Sequence, residues 1–419
     1  MPRSGLSRAD RVNWCAGGRV LLVERTAKIL HSIDEISAQA WNRCANPGGR
    51  ISHDPFVRFE FLAALEASGS ATAQTGWQPF HLVLHEDDQV VGTIPMYVKN
   101  HSRGEYVFDH SWADAWHRAG GDYYPKLQIS VPFTPATGRR VLAADGAPET
   151  ERALLGACAQ ICEQIKASSA HLTFLPESQW KLAGELGYQQ RMDQQYHWRN
   201  PGYASFEEFL GDLSAKKRKN VRRERRDALA NGIEVEWVTG SALTEAHWDA
   251  FYRFYIDTGS RKWGTPYLTR EFFSMITETM PEDVLLILCK RNSRYVAGAL
   301  NFIGEQALFG RNWGCTEHHP FLHFEACYYQ AIDFAIERGL ARVEAGAQGP
   351  HKVARGYLPQ ATYSAHWICD SGFRDAVERY LKDERNYVRQ DIDYVEEHSP
   401  FKSTISLDKF RQSDGFTLN

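Results

Sequence analysis

Residues Val284–Ile303 read VLLILCKRNSRYVAGALNFI: an apolar strand, a charged tip, and a second apolar strand entered through Ala297-Gly298. Two such runs around a polar tip predict a β-hairpin. The pattern has one earlier counterpart, Phe80–Val98, FHLVLHEDDQVVGTIPMYV, whose second strand is entered through Val91-Gly92. Each hairpin is followed by further strands, an amphipathic helix and another strand. In the first half the last two are Glu151–Ala167 and His171–Leu175; in the second they are His323–Arg338 and Ala341–Ala345. A unit that recurs after about 200 residues predicts two copies of one α/β domain, with mixed sheets flanked by helices.

The copies differ in length. From Gly92 to Ala170 the chain runs 78 residues, but from Gly298 to Ala341 only 43. The extra residues include FDHSWADAW (Phe108–Trp116) and YYPKLQISVPFTPATGRR (Tyr123–Arg140). Insertions this rich in Pro, Gly and aromatic rings predict a binding loop. The domain boundary is expected at Asn200-Pro201-Gly202, a turn sequence followed by Ser205 as helix N-cap and Glu208 three residues later. This gives a flexible tail over 1–20, a first domain over 21–200 and a second over 201–400, with a tail over 401–419. The polar stretch Phe373–Val395 is expected to be a helix on the outside of the second domain.

Composition narrows the function classes. With 419 residues, 43% apolar and 24% charged, the chain can bury a sizeable core and is neither disordered nor fibrous. No apolar run approaches the roughly 20 residues of a membrane-crossing helix. Arg3, Arg8, Asp10, Arg11 and Arg19 interrupt any signal-peptide core, so no stable membrane insertion and a cytoplasmic location are expected. Eight cysteines without a CxxC pair, two of them (Cys158 and Cys162) one helical turn apart, read as reduced and buried thiols. His318, His319, His323 and Glu325 cluster without zinc-site spacing, so no metal is expected. Walker, GxGxxG and GxSxG motifs are absent, leaving ATPase, dinucleotide and serine-hydrolase chemistry without support.

Two segments carry candidate chemistry. Lys216–Arg226 (KKRKNVRRERR) holds +7 in a chain whose net charge is −4, so the remainder carries −11. A helix this basic repels itself, and Lys216, Lys217, Lys219, Arg222 and Arg223 are candidates to hold phosphates of a donor. The second segment starts at FGRNWG (Phe309–Gly314), where alternation predicts Arg311 and Trp313 on one face. In the helix after it, Tyr328 lies on a core-like face, and Glu325 sits in the first turn beside an apolar stripe. Glu344 then interrupts an apolar strand, and Gln348, His351, Lys352 and Arg355 follow in a Gly-containing loop. Acid, amide, imidazole and two cations at the carboxyl end of a strand make the strongest site signal in the chain.

LSAKKRKNVRRERRDA, SRKWGTPYLTREFF, FGRNWG, HFEACYYQ and VEAGAQGPHKVARGY, with GWQPFHLVL, FDHSWADAW and YYPKLQISVPFTPATG earlier, resemble a bacterial GNAT-like acyltransferase family related to the FemAB peptidoglycan-bridge aminoacyl transferases. The resemblance spans roughly residues 20 to 400. It implies two GNAT folds in tandem and acyl or aminoacyl transfer to an amine, with no tightly bound cofactor. It also implies that Asp109, His110, Trp112, Tyr124 and Lys126 line the cleft from the first domain. The donor would be aminoacyl-tRNA or acyl-CoA; the acceptor would be a small-molecule or peptidoglycan-precursor amine. GNAT enzymes cradle the CoA pyrophosphate with [QR]-x-x-G-x-[GA]. Its one match, Arg199–Ala204, falls at the domain boundary, which favours tRNA. Direct attack needs a base, for which Glu325, Glu344 and His351 are the candidates, and cations for the oxyanion. Arg311, Trp313, Tyr328, Gln348, Lys352 and Arg355 would bind substrate. A small-molecule N-acetyltransferase, or a non-catalytic module recognising cell-wall fragments, are the competing readings.

Overall fold

The computed structural model describes residues 25–49, 53–262, 266–346 and 349–411. The tail over 1–20, residues 412–419 of the C-terminal tail and Gln348 lie outside the described residues.

Both expected hairpins form. Their strands are β3 (His81–Glu86) with β4 (Gln89–Ile94), and β11 (Val284–Arg291) with β12 (Arg294–Ile303). Each turns through two residues with positive φ, Asp87-Asp88 and Asn292-Ser293. Polar residues of this type tolerate the left-handed conformation that a tight two-residue hairpin demands.

The remaining strands are β1 (Arg25–Leu30), β2 (Gln78–Pro79), β5 (Met96–Lys99), β6 (Lys126–Ile129), β7 (Leu142–Ala143), β8 (Ser169–Leu175), β9 (Gln189–Arg199), β10 (Ile233–Thr239), β13 (Ala307–Cys315), β14 (Arg342–Glu344) and β15 (Leu358–Ile368). β1, β3, β4 and β7 form a small sheet. The other eleven form one sheet in the order β10-β11-β12-β13-β14-β9-β15-β8-β6-β5-β2. Strands of both halves share this larger sheet. β9, from the first half, lies between β14 and β15; β15, from the second half, lies between β9 and β8. The halves trade their last strands, and β9 pairs with β15 antiparallel from Leu358↔His197 to His366↔Gln189.

Helices cover the faces of this sheet. Glu245–Lys262 and Arg270–Thr279 bury Trp248, Phe251, Phe272 and Phe273 with Phe56 and Phe61 of the first half in one aromatic core. Each fully buried ring contributes roughly 2–3 kcal/mol of apolar burial. Ser371–Glu397 is helical, as its sequence suggests, but packs differently from expectation. Its Phe373, Val377 and Leu381 bury against Trp112 and Tyr123 of the first half, because the traded strand β15 delivers the chain there. No described helix is long and apolar enough to cross a membrane.

Candidate active site

The site begins with a divergence of two strands. β13 and β14 run parallel but pair only from Ala307↔Arg342 to Phe309↔Glu344. β13 continues to Cys315, while the other chain leaves through Gly346 and Gly349, both with positive φ, into the turn Pro350–Arg355. From Gly310 onward that edge of β13 has no strand partner among the described residues, so the divergence of β13 and β14 is an opening in the strand pairing of the sheet. In the first half β6 and β8 part after three pairs in the same way, Leu127↔Ala170 to Ile129↔Leu172. There the insertion fills the gap: Ser130–Ala136 are buried, Gly138 donates its N–H to the Phe174 carbonyl at 3.0 Å, and Gln195 donates to the Pro135 carbonyl at 2.9 Å. The insertion is a plug at this point.

The helix Leu322–Glu337 packs on β13 and β14 and contains a π turn, Glu325–Tyr329. Such turns insert one extra residue and re-aim the side chains around them. Tyr328 is turned so that its hydroxyl meets His351 Nε2 at 2.9 Å. His351 is exposed, yet partial burial and the nearby Arg355 and Lys352 charges hold its imidazole below its ordinary value. It is therefore neutral at pH 7, with its ring anchored by a phenol.

Glu325 is fully buried and already engaged. Its carboxylate accepts from Arg225 at 2.9 and 3.2 Å and from Gln330 at 2.7 Å. Burial pushes its carboxyl above the ordinary value, and Arg225 only partly opposes that. Glu344 is buried too, accepting from Arg342 at 2.8 Å, with His197 Nε2 at 3.8 Å from its other oxygen. Burial pulls its carboxyl upward, but His197, Arg342 and Arg199 outweigh this and hold it below its ordinary value. Lys352 is 2% exposed and donates to the Gly346 carbonyl at 2.7 Å; burial drops its ammonium to about 8. Arg355 lies 3.5 Å above the Phe324 ring and donates to the His351 carbonyl at 2.7 Å.

The basic helix, Ala215–Ala228, is docked on this site by residues that its charge run concealed. Glu224, the one acid in the run, accepts from Arg355 at 3.0 and 2.9 Å and from the Tyr329 hydroxyl. Arg225 bonds Glu325 and, at 2.6 Å, Asp333. The outer face carries Lys216, Lys219 and Arg223, at i, i+3 and i+7, exposed and with no ion-pair partner among the described residues. Lys217 is half-exposed beside them, and Arg222 pairs with Glu207. One helix thus joins the candidate chemistry to a free cationic stripe.

Arg311 and Trp313 do not share a face, which corrects the alternation argument. A β-bulge opposite Leu300/Asn301 leaves Arg311 without a cross-strand partner. Arg311 points to the first half, donating to the Phe133 carbonyl and lying 5.9 Å from the Phe56 ring centre, whereas Trp313 packs edge-on against His323 on the opposite side. The first-domain residues are also elsewhere than expected. Lys126 is fully buried and donates to Ser102 at 2.9 Å, to Glu105 at 2.7 Å and to Asp109. Tyr124 bonds Ser102 at 2.9 Å, Trp112 packs edge-on to His366, and His110 is exposed. This cluster surrounds β6 and β8, separated from β14 by β9 and β15. The segment that reaches the second-half opening is the plug, through Phe133.

Arg199–Ala204 does follow a strand and precede a helix, Phe206–Asp212. Its amides are taken, however. Asn200 accepts from the Gly202 and Tyr203 N–H groups at 3.0 and 2.8 Å, and Glu208 accepts from that of Ala204 at 2.8 Å. The backbone N–H groups of Gly202, Tyr203 and Ala204 are thus each bonded to a side chain of this loop or of the helix that follows it.

Comparison with known proteins fits this architecture. The model of the FemAB-like family, described as peptidoglycan biosynthesis/recognition, matches residues 32–403. No curated protein matches. Among solved structures, FemX superposes with a TM-score of 0.51 at 13% identity, covering 84% of this chain and all of FemX. L-PGS from Bacillus licheniformis gives 0.48 at 12% identity, covering 79% and 98%. A tandem GNAT protein from the clavulanic acid pathway gives 0.43 at 12%, covering 82% and 98%. With nearly nine-tenths of its length matched, the chain belongs to the FemAB-like family, and it is an acyltransferase of the aminoacyl- or acyl-transferring kind.

Proposed function

We propose that the protein transfers an aminoacyl group from a tRNA donor to an amine of a peptidoglycan precursor, at the opening between β13 and β14. The observation that supports this is the basic helix, whose inner face bonds the site through Glu224 and Arg225 while Lys216, Lys219 and Arg223 face outward. A polyanion laid along that stripe would bring its acylated end toward His351. The occupied amides of Asn200–Ala204 argue against CoA.

In this reading His351 takes a proton from the acceptor ammonium through Nε2, whose lone pair the Tyr328 hydroxyl holds in the resting site. The freed amine attacks the ester carbonyl. The oxyanion is stabilised by Lys352 and by amides along the unpaired edge of β13, while Arg355, bonded to Glu224 and to the His351 carbonyl, holds the turn in place. Collapse expels the ribose oxygen, which takes the proton back from His351, and the imidazole then accepts the second proton of the new amide nitrogen and releases it to solvent. Glu325 and Glu344, committed to Arg225 and Arg342, act as struts.

The test compares turnover with charged tRNA and with acyl-CoA over a series of salt concentrations. Affinity for tRNA should fall linearly on a log–log plot, with a slope of about −0.7 to −0.9 per phosphate contact. Changing Lys216, Lys219 and Arg223 together to Gln should flatten that slope by about two to three. Turnover with acyl-CoA alone, or a slope indifferent to the triple change, refutes the proposal.

A further inference from the structure

Cys162 lies in the last turn of the helix Pro148–Gln164 of the first half, and Cys369 directly follows β15, the traded strand of the second. Their sulfurs lie 3.4 Å apart although 207 residues separate them. Both backbones are braced. Cys369 donates its N–H to the Ser168 carbonyl at 3.1 Å, and the Cys162 carbonyl accepts from Ala167 at 3.0 Å. Two thiols in contact on rigid, unrelated segments need only a sulfur displacement of about 1.4 Å to reach disulfide length.

We propose that this pair is a reversible oxidation site, at which hydrogen peroxide or a small disulfide closes a Cys162–Cys369 bridge that fastens the traded strand to the first half. Cys369 is the half-exposed partner and meets the oxidant; Cys162 is fully buried and resolves the adduct. The Cys162 thiol, donating to the Cys369 sulfur, holds that sulfur below the usual thiol range, with Arg374 in support and burial and Glu163 opposing. The bond to Cys369 and burial push the Cys162 thiol well above that range, so Cys162 serves only as the resolving thiol, already in contact with the Cys369 sulfur and losing its proton as the adduct breaks; burial pushes Cys44 up to about 11 and Cys158 and Cys289 up to about 12, which makes them poor first nucleophiles.

Peroxide closes the bridge in two steps. The Cys369 thiolate attacks one oxygen, the O–O bond breaks, and the departing hydroxide takes a proton to become water. The Cys162 sulfur then attacks the sulfur of the Cys369 sulfenic acid, the S–O bond breaks, and the hydroxide leaves with the Cys162 proton as a second water. Two thiols give up two electrons and peroxide accepts them. With a small disulfide the acceptor is its S–S bond, released as two thiols.

The test treats the full folded chain with hydrogen peroxide, removes the excess, alkylates free thiols in denaturant, and maps peptides without reductant. One cross-linked pair, Cys162 with Cys369, is expected, lost on adding dithiothreitol and absent in C369S. In C162S the Cys369 sulfenic acid should persist and be trapped by dimedone. The bridged chain should also resist urea to a higher midpoint than the reduced chain, because the bond closes a long loop. Full alkylation of both residues after treatment, or a Cys158–Cys162 link, overturns the proposal. So does a bridge that forms equally in chain unfolded beforehand in urea.

Discussion

Glu325 is the residue at which two readings of the site part most sharply, and E325Q separates them. If Glu325 were the catalytic base, Gln would remove the proton acceptor and turnover would fall by about 100-fold or more. The structure predicts otherwise. The carboxylate is fully buried, accepting from Arg225 at 2.9 and 3.2 Å and from Gln330 at 2.7 Å. Its carboxyl is nevertheless raised, so burial costs the charged form more than Arg225 returns. A neutral isostere loses one charge-assisted hydrogen bond but also escapes that desolvation, for a net cost of about 1–2 kcal/mol. Arg225 still has Asp333 at 2.6 Å. E325A goes further, leaving a void and an unpartnered Gln330 amide, and should cost about 3 kcal/mol. Urea unfolding followed by tryptophan fluorescence measures both, and saturating turnover is measured on the same samples. E325Q should keep turnover within a few-fold. A hundredfold loss with an unchanged urea midpoint would refute the reasoning and make Glu325 the base.

Three further outcomes are expected. H351Q should cut turnover by about 100-fold with little change in urea midpoint, and the acid limb of the wild-type pH–rate profile should fall below the ordinary imidazole value; a limb above it would show that His351 is not the base. His171 and His197 are buried and held down to about 3, so the unfolded chain takes up protons below 6.5 while the folded chain does not. Stability should be intact above 6.5 and decline as pH drops toward 3, by up to about 1.4 kcal/mol per pH unit for each group, and H197Q should shallow that decline in urea titrations at graded pH. G314A puts a Cβ 2.2 Å from the Phe254 carbonyl oxygen, a backbone atom of the helix packed on β13; the strand must shift, and a loss of about 2–4 kcal/mol is expected in the same unfolding assay.

The hairpins were legible because their apolar runs and polar tips are local signals, and so were the helix behind the site and the charge of Lys216–Arg226. What escaped depended on distance. Nothing in QQRMDQQYHWR says that its partners lie beyond residue 341, since pairing across the chain leaves no local period. The bulge that turns Arg311 away from Trp313 adds a residue without altering the pattern of residue types. The π turn likewise rotates Tyr328 toward His351 inside a stretch that reads as ordinary helix. Glu224 offered the clearest missed signal. A lone acid among eight cations marks the face turned inward, and it finds Arg355. Asp109 and Lys126 were paired by burial with each other, a destination that spacing alone could not specify.

The traded strands also set a schedule for synthesis. β9 leaves the ribosome about 160 residues before β15 exists to cover it, which at 5–20 residues per second is roughly 10–30 seconds. During that interval the nascent first half carries an open sheet edge, a ready template for pairing with another chain. The leading part of β9, Gln189-Gln190-Arg191-Met192-Asp193-Gln194-Gln195, meets that hazard with charge and amides where a finished inner strand would tolerate valine and isoleucine. Arg191 and Gln194 later find Glu384 and Asp391 on the C-terminal helix. The polarity that guards the growing chain becomes, once the chain is complete, the seat of its last helix.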